Sequence, residues 1–190
     1  MILLINACVR DESRTWKLTE ALLSKLSGEV KEVKLSEQHF PVADEAFLKK
    51  REALITQEKW DDPLFSLSRQ FAEADTIVVA APYWDLSFPA ALKQYFEQIN
   101  VLGITFRYTP EGTPEPLCKA EKLYYVTTAG GVFVPDEFGF GYVKSLAENF
   151  YGIHEFEYLK AVGLDVLGAD VDQIIADAVS HIEENGTKTS

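Results

Sequence analysis

The sequence predicts an α/β fold in which a doubly wound, five-stranded parallel sheet carries helices on both faces. Candidate strands and candidate helices alternate along the 190 residues, as they do in chains that build parallel sheets. The most apolar strands show no alternation of polar and apolar residues, which indicates that both of their faces are buried. No internal repeat and no linker interrupts the pattern, so we expect a single domain over residues 1–190.

Five short apolar or alternating runs are the candidate strands. In chain order they are Met1–Ala7, Glu29–Leu35, Asp75–Ala81, Lys122–Thr128 and a strand within His154–Gly163. One further segment departs from the strand–helix order. Ile104–Leu117 alternates and then turns at Pro110-Glu111-Gly112, so we expect a hairpin excursion after the fourth helix.

Apolar residues at helical spacing place helices between these strands. Ser13 is a candidate N-cap for the first helix, which has Leu18, Leu22 and Leu26 on one face. Pro89 suits the first turn of the fourth helix, where its missing N–H costs little. The predicted helices are Ser13–Leu26, Asp44–Trp60, one that begins at Asp62-Pro63, Pro89–Ile99, one near Tyr142–Phe150, and Val171–Glu184. In the second predicted helix, Asp44–Trp60, charged residues lie on several faces. This favours a surface helix over the alternative, a lid over the ligand to which Trp60 contributes.

Composition excludes several classes of function. The net charge of −12 argues against a nucleic-acid partner, because phosphate binding needs clustered Lys and Arg. Neither the two cysteines nor the three histidines have metal-ligand spacing, so we expect no metal site. No apolar run approaches the length of a membrane span, and the N-terminus lacks the basic start of a signal peptide. We therefore expect a cytoplasmic protein with reduced thiols and no membrane partner.

Three loops follow the carboxyl ends of candidate strands, which is where ligands bind in parallel sheets. The first, Cys8–Thr15, opens a helix whose N-terminus offers free N–H groups and a positive dipole end. Ser13 and Thr15 add hydroxyls and Arg14 adds a guanidinium, which together would suit a monophosphate. The alternative is that Ser13 merely caps the helix, and the acids Asp11 and Glu12 are unfavourable neighbours for a phosphate.

The other two loops would suit a flat ring. Pro82–Ser87 places Tyr83 and Trp84 directly after a buried strand, where aromatic faces could wall a ring and backbone N–H groups could meet its edge. In Thr128–Val132, a pair of glycines would let the backbone approach a ligand closely. Each loop also has a purely structural explanation. Tyr83 and Trp84 could simply pack under the hairpin, and the glycine pair could form an ordinary turn between a strand and a helix. The joint position of the loops at one sheet edge favours a ligand site.

The block from Ala81 to Gly131 resembles the FMN-dependent NADH azoreductases and their NAD(P)H:quinone oxidoreductase relatives, which have a flavodoxin-like fold. Leu92-Lys93-Gln94-Tyr95-Phe96 and Gly103-Ile104-Thr105-Phe106-Arg107-Tyr108 match that family's helix and hairpin motifs. The first loop fits more loosely, through Ser13-Arg14-Thr15. The order of elements agrees over nearly the whole chain.

The resemblance implies a homodimer that binds FMN, takes electrons from NADH or NADPH, and reduces quinones, azo compounds or related small aromatic acceptors by ping-pong hydride transfer. Ser13, Arg14 and Thr15 would hold the phosphate. Two loops would line the ring, through Pro82, Tyr83, Trp84, Asp85 and Leu86 on one edge and Thr128, Ala129, Gly130 and Gly131 on another. Phe106 and Phe133 would border the substrate pocket. No side chain is expected to act as a catalytic nucleophile, acid or base.

Three residues depart from the family pattern: Asp85 stands where the family usually has Asn, Ala129 replaces an Arg that often precedes Gly-Gly, and Phe133 lies where some relatives have a pocket His. Two alternatives stay open beside the oxidoreductase. An electron carrier of the flavodoxin type would also bind FMN, and its acidic charge would suit a basic partner. A degenerate relative would bind no flavin. A hydrolase finds no support, because no Gly-x-Ser-x-Gly motif or Ser-His-Asp order is present.

Overall fold

The computed structural model describes residues 1–185, which form seven strands and six helices. The strands are β1 (Ile2–Asn6), β2 (Val30–Lys34), β3 (Thr76–Ala80), β4 (Phe106–Tyr108), β5 (Pro114–Pro116), β6 (Lys122–Thr128) and β7 (Glu155–Ala161). The helices are α1 (Arg14–Leu23), α2 (Glu45–Thr56), α3 (Ser66–Glu73), α4 (Ala90–Ile99), α5 (Phe140–Leu146) and α6 (Val171–Asn185).

Five strands build one sheet in the order β2-β1-β3-β6-β7, and every neighbouring pair is parallel. The predicted five-stranded parallel sheet is confirmed. From β1 the chain runs outward to β2 and then crosses to β3 on the other side, so the strand order reverses between β1 and β3. Such a reversal opens a crevice outside the carboxyl ends of the strands, and the ligand site is expected there.

Two apolar layers, one on each face of the sheet, explain why the central strands are apolar throughout. In β3, Val78 packs with Leu18 of α1 and Ile182 of α6 on one face. Its neighbours Ile77 and Val79 belong to the opposite layer, which α3, α4 and α5 cover. Because successive side chains of a strand point to opposite faces, a strand covered by helices on both sides needs apolar residues at every position.

Two helices end earlier than their apolar spacing predicts. The first predicted helix extends to Leu26, but α1 ends at Leu23 and a tighter turn follows, in which Leu26 N donates to Leu23 O at 3.2 Å. That turn keeps Leu26 near the apolar face, so spacing alone did not reveal the end of the helix. The second was expected to reach Trp60, but α2 ends at Thr56 because Glu58 adopts a left-handed conformation with φ of 54°.

The segment that contains α2 is a surface element, as its charge distribution favoured. No residue of α2 is buried. Trp60, considered as part of a lid, packs instead against Gly103, where a Cβ atom would lie 2.6 Å from the indole. Its ring centroid also lies 6.3 Å from that of Phe65. Trp60 therefore anchors the chain to the turn before the hairpin.

The predicted hairpin excursion is confirmed, since β4 and β5 pair antiparallel after α4. Phe106 is buried beneath it, with its ring centroid 4.9 Å from that of Phe150. Gly152 has φ of 72°, and a Cβ there would lie 2.7 Å from Pro116. The hairpin is thus packed on the turn that continues α5. Within residues 1–185 no helix is both long and apolar enough to cross a bilayer.

Candidate functional site

A cleft of about 290 Å³ opens at the carboxyl ends of β1, β3 and β6, where the reversal of strand order predicts a ligand site. All three predicted loops contribute to it, together with the loop that follows β7. The lining residues are Val9, Arg10, Glu12, Ser13, Arg14, Thr15, Pro82, Tyr83, Trp84, Thr128, Ala129, Gly130, Leu164 and Asp165. Nine of the residues predicted from the sequence are thus brought to one cleft, with Leu164 and Asp165 added by the fold.

The start of α1 forms the part of the cleft that the sequence assigned to an anion. Ser13 is the N-cap, and its Oγ accepts a hydrogen bond from Trp16 N at 3.3 Å. The next two N–H groups, of Arg14 and Thr15, donate to no acceptor among the described residues. Free N–H groups at the positive end of a helix favour a phosphate or another anion. Capping by Ser13 and anion binding are therefore compatible here.

Asn6, which the sequence analysis did not single out, shapes this first loop. Its side chain is only 5% exposed at the end of β1. Oδ1 accepts from Cys8 N at 2.9 Å, and Nδ2 donates to Glu32 Oε1 at 2.7 Å. An Asn that bonds the backbone two residues later turns the chain away from the strand. An Asn directly before a polar loop was the available sequence signal.

Thr15 joins the first loop to the third. Its Oγ1 lies 2.7 Å from Thr128 Oγ1, and both side chains are buried. The hydroxyl of Thr15 is therefore engaged with a neighbouring strand end. What Thr15 offers the cleft in this arrangement is its backbone N–H.

The second loop is a tight turn with an unusual backbone. Trp84 and Ser87 exchange two hydrogen bonds, of 3.1 and 2.8 Å, around Asp85 and Leu86. These two residues have φ of 50° and 67°, the pattern of a two-residue type I′ turn. Asp tolerates a left-handed conformation, but Leu does so only at a cost. Their N–H groups find no acceptor in the described part of the chain.

Tyr83 and Trp84 form the aromatic wall of the cleft. The Tyr83 N–H donates to Thr128 O at 3.0 Å, and the phenol donates to Pro135 O at 3.3 Å, which fixes the residue between two loops. Desolvation raises the pKa of the Tyr83 phenol, and the carboxylates of Asp136 and Glu137 raise it further. Tyr83 is therefore a neutral, oriented ring at the cleft.

The third loop is held by the loop after β7. Asp165 N donates to Gly130 O at 2.9 Å, and Leu164 N donates to Ala129 O at 3.2 Å. The Asp165 carboxylate reaches across the cleft and accepts from Arg14 Nη1 at 2.9 Å. Sequence reasoning missed Asp165 because 151 residues separate it from Arg14, and no local pattern predicts that contact.

These groups fit FMN. One end of the cleft has Arg14, Arg10 and the free N–H groups of α1 for a phosphate, although Glu12 and Asp165 are acidic neighbours. The other end has an aromatic wall. The N–H groups of Gly130 and Gly131 also lack acceptors within residues 1–185, which leaves them to bind polar atoms at a ring edge.

The remaining predicted residues lie outside the cleft lining. Asp85, Leu86 and Gly131 flank it within the same loops. Phe106 is buried under the hairpin, and Phe133 is 76% exposed on the segment after the third loop. Neither phenylalanine borders the cleft within this chain, and their assignment to a substrate pocket stays a prediction.

Comparison with known proteins agrees with this geometry. The profile of a family described as having a flavodoxin-like fold matches residues 1–185. An FMN-dependent NADH:quinone oxidoreductase of Coprothermobacter proteolyticus is 33% identical over 183 residues, which cover 92% of this chain and 90% of that protein. FMN-dependent NADH:quinone oxidoreductase 2 of Clostridium acetobutylicum is 34% identical over 195 residues, which cover 96% of each chain.

Among solved structures, an azoreductase from Bacillus anthracis superposes with a TM-score of 0.83, covering 98% of both chains at 25% identity. Fold, cleft position and sequence similarity therefore lead to the same assignment. The chain belongs to the flavodoxin-like family that includes the FMN-dependent NADH:quinone oxidoreductases.

Proposed function

We propose that the protein is an FMN-dependent NADH:quinone oxidoreductase that reduces quinones, azo compounds or related small aromatic acceptors. The observation that carries this proposal is the cleft itself. It combines the N-terminus of α1 and Arg14 with an aromatic wall and free backbone N–H groups, all at the reversal of strand order. The names of the relatives supply the donor, NADH, and the acceptor class.

Residues of all three loops bind the cofactor, and each loop contacts a different part of it. The N–H groups of Arg14 and Thr15 and the Arg14 guanidinium hold the phosphate, and charge-assisted bonds make this the strongest part of the site. Tyr83 and Trp84 exclude water from one side of the ring. The free N–H groups of the second and third loops orient the ring edge by hydrogen bonds.

FMN bound in this cleft would supply the redox chemistry, namely the transfer of a hydride equivalent from NADH to the acceptor. The protein contributes position and electrostatics. We assign no side chain as nucleophile, general acid or general base. Desolvation and the carboxylates of Asp136 and Glu137 move the pKa of the Tyr83 phenol further above its usual range, and its O–H donates to Pro135 O, so Tyr83 does not act as a base near neutral pH.

We further propose that the enzyme is a cytoplasmic homodimer whose subunits meet beside the cleft. Leu86 of the turn and Val132, Phe133 and Phe138 of the following segment are all exposed. The turn and this segment are tied together by the hydrogen bond from Ser87 Oγ to Phe138 O. Soluble monomers rarely expose several large apolar side chains so close together. Light scattering after gel filtration should give the mass of two chains.

The experiment that tests the function is spectroscopic. The purified protein is loaded with FMN, freed of excess cofactor and titrated anaerobically with NADH or NADPH, and a small quinone is then added. We expect NADH to bleach the visible flavin band and the quinone to restore it. A bound flavin that neither nicotinamide bleaches would instead indicate an electron carrier. Failure to bind FMN at all would indicate a member of the family that has lost its chemistry.

A further inference from the structure

Asp165 connects the part of the cleft assigned to the phosphate with the part assigned to the ring. Its Oδ1 accepts from Arg14 Nη1 at 2.9 Å, and Leu164 O lies 3.5 Å from the same nitrogen. Its backbone N–H donates to Gly130 O at 2.9 Å. Asp165 thus bonds Arg14 through its side chain and the glycine loop through its backbone N–H, while the neighbouring Leu164 contacts both through its backbone alone.

The carboxylate occupies space that only a glycine leaves open. A Cβ atom on Gly130 would lie 2.1 Å from Asp165 Oδ2 and 2.8 Å from its Cγ. The neighbouring Gly131 has nothing within 4 Å of such an atom. Because position 130 has no side chain, Asp165 can extend over the third loop and contact Arg14 in the first.

Arg14 retains donors for a ligand while it is held in this way. Asp165 and Leu164 engage only Nη1, and within residues 1–185 the Nε and Nη2 atoms bond to nothing. A guanidinium held at one nitrogen can still present the others to an anion. Its side chain is 40% exposed and has many rotamers to lose when it binds, so a fixed partner lowers that cost.

We propose that Asp165 is a positioning residue for the flavin phosphate: it holds Arg14 from the far side of the cleft and ties it to the glycine loop. The inference rests on the proposed function, because it presumes that FMN is the ligand. The inference goes beyond the proposed function because it assigns a role in phosphate binding to a carboxylate, a group that patterns of phosphate-binding residues do not include.

Simple charge counting gives the opposite expectation. A carboxylate near a phosphate dianion repels it, and the chain already carries a net charge of −12. If repulsion dominated, removal of Asp165 would strengthen FMN binding. If the positioning of Arg14 dominates, removal of Asp165 weakens FMN binding and leaves the binding of riboflavin, which has no phosphate, unchanged. The sign of the effect therefore separates the two explanations.

The test compares the affinities of wild type, Asp165→Ala and Asp165→Leu for FMN and for riboflavin by quenching of flavin fluorescence. We expect Asp165→Ala to bind FMN about fivefold more weakly, the upper range for an exposed charge pair, with riboflavin affinity within twofold of wild type. Asp172→Ala, which removes an exposed charge from the first turn of α6, serves as the matched control and should change neither affinity.

A second arm tests whether the effect passes through Arg14. In an Arg14→Ala background, Asp165→Ala should cause no further loss of FMN affinity. Tighter FMN binding by Asp165→Ala, an unchanged affinity, or an equal loss for FMN and riboflavin would each overturn the proposal. If Asp165→Ala fails to fold, Asp165→Leu, which has a similar size but offers no acceptor to Arg14, decides with the same readouts. Wild-type protein that binds riboflavin and FMN equally would reject the phosphate site, and wild-type protein that binds neither would reject the proposed function itself.

Discussion

Replacing Thr128 with valine tests the buried contact that joins the first and third loops. The hydroxyls of Thr15 and Thr128 lie 2.7 Å apart, with residue exposures of 1% and 8%. Thr128→Val keeps the shape of the side chain but leaves the Thr15 hydroxyl without this partner. An unsatisfied buried hydroxyl costs about 1–3 kcal/mol, so we expect the free energy of unfolding to fall by that amount.

The reciprocal variant and the double variant make the argument quantitative. Thr15→Val leaves the hydroxyl of Thr128, which lines the cleft and can be hydrated, so we expect a smaller loss of about 0.5–1.5 kcal/mol. Replacing both residues removes both polar groups and preserves both shapes, so the double variant should lie close to wild type. The two changes should therefore be strongly non-additive.

Urea denaturation of the FMN-free protein measures all four members of this cycle, provided that the m-values agree. Additive losses would show that the two hydroxyls do not depend on each other. The same variants test the predicted role of Thr15 in phosphate binding. Because its hydroxyl faces Thr128, the double variant should bind FMN within about threefold of wild type. A loss comparable to a charge-assisted bond, about 1.5–3 kcal/mol, would show that the hydroxyl itself holds the phosphate.

Three further changes have outcomes that the structure specifies. Gly130→Ala should weaken FMN binding, and it should lower the free energy of unfolding by about 1–3 kcal/mol because its Cβ would displace Asp165. Gly131→Ala has open space for its Cβ and should stay within about 0.5 kcal/mol of wild type in the same urea titration. Leu86→Gly should raise the free energy of unfolding by about 1 kcal/mol, because glycine adopts a left-handed conformation without strain. Leu86→Ala keeps a Cβ and should not raise it. Equal urea midpoints for the two variants would refute the strain. Tyr95→Phe should be neutral or stabilising by thermal denaturation, since the hydroxyl is buried without a partner among the described residues, and a loss above about 1 kcal/mol would reveal a missed bond.

The positions of the strands and helices were predictable because each element has its own local pattern of apolar residues. All five strands of the sheet and all six helices appear at their predicted places, and the sheet is parallel because helices cover both of its faces. The ends of α1 and α2 were not predictable from apolar spacing. At those positions the chain leaves the helix through a tightened turn after Leu23 and a left-handed residue at Glu58.

The cleft was only partly predictable, for a related physical reason. Loops that follow the carboxyl ends of parallel strands must meet at one edge, so the three lining segments could be named from the sequence. Asp165 lies between β7 and α6, and the Thr15–Thr128 contact joins α1 to the end of β6. Side-chain contacts between segments so far apart in the chain leave no periodic signal. The hydroxyl of Thr15 looked available as a ligand because its partner lies 113 residues away.

The turn after β3 explains why an acid can stand where the family usually has Asn. Asp85 has φ of 50°, and Asn and Asp are the non-glycine residues that adopt this conformation most readily. The Asp85 side chain is exposed, while its N–H and that of Leu86 remain unpaired within residues 1–185. The backbone, which both residue types shape in the same way, is therefore the part of the turn available to a flavin. Leu86, at φ of 67°, retains strain that a glycine would relieve, and strain of this kind persists where the geometry serves a site.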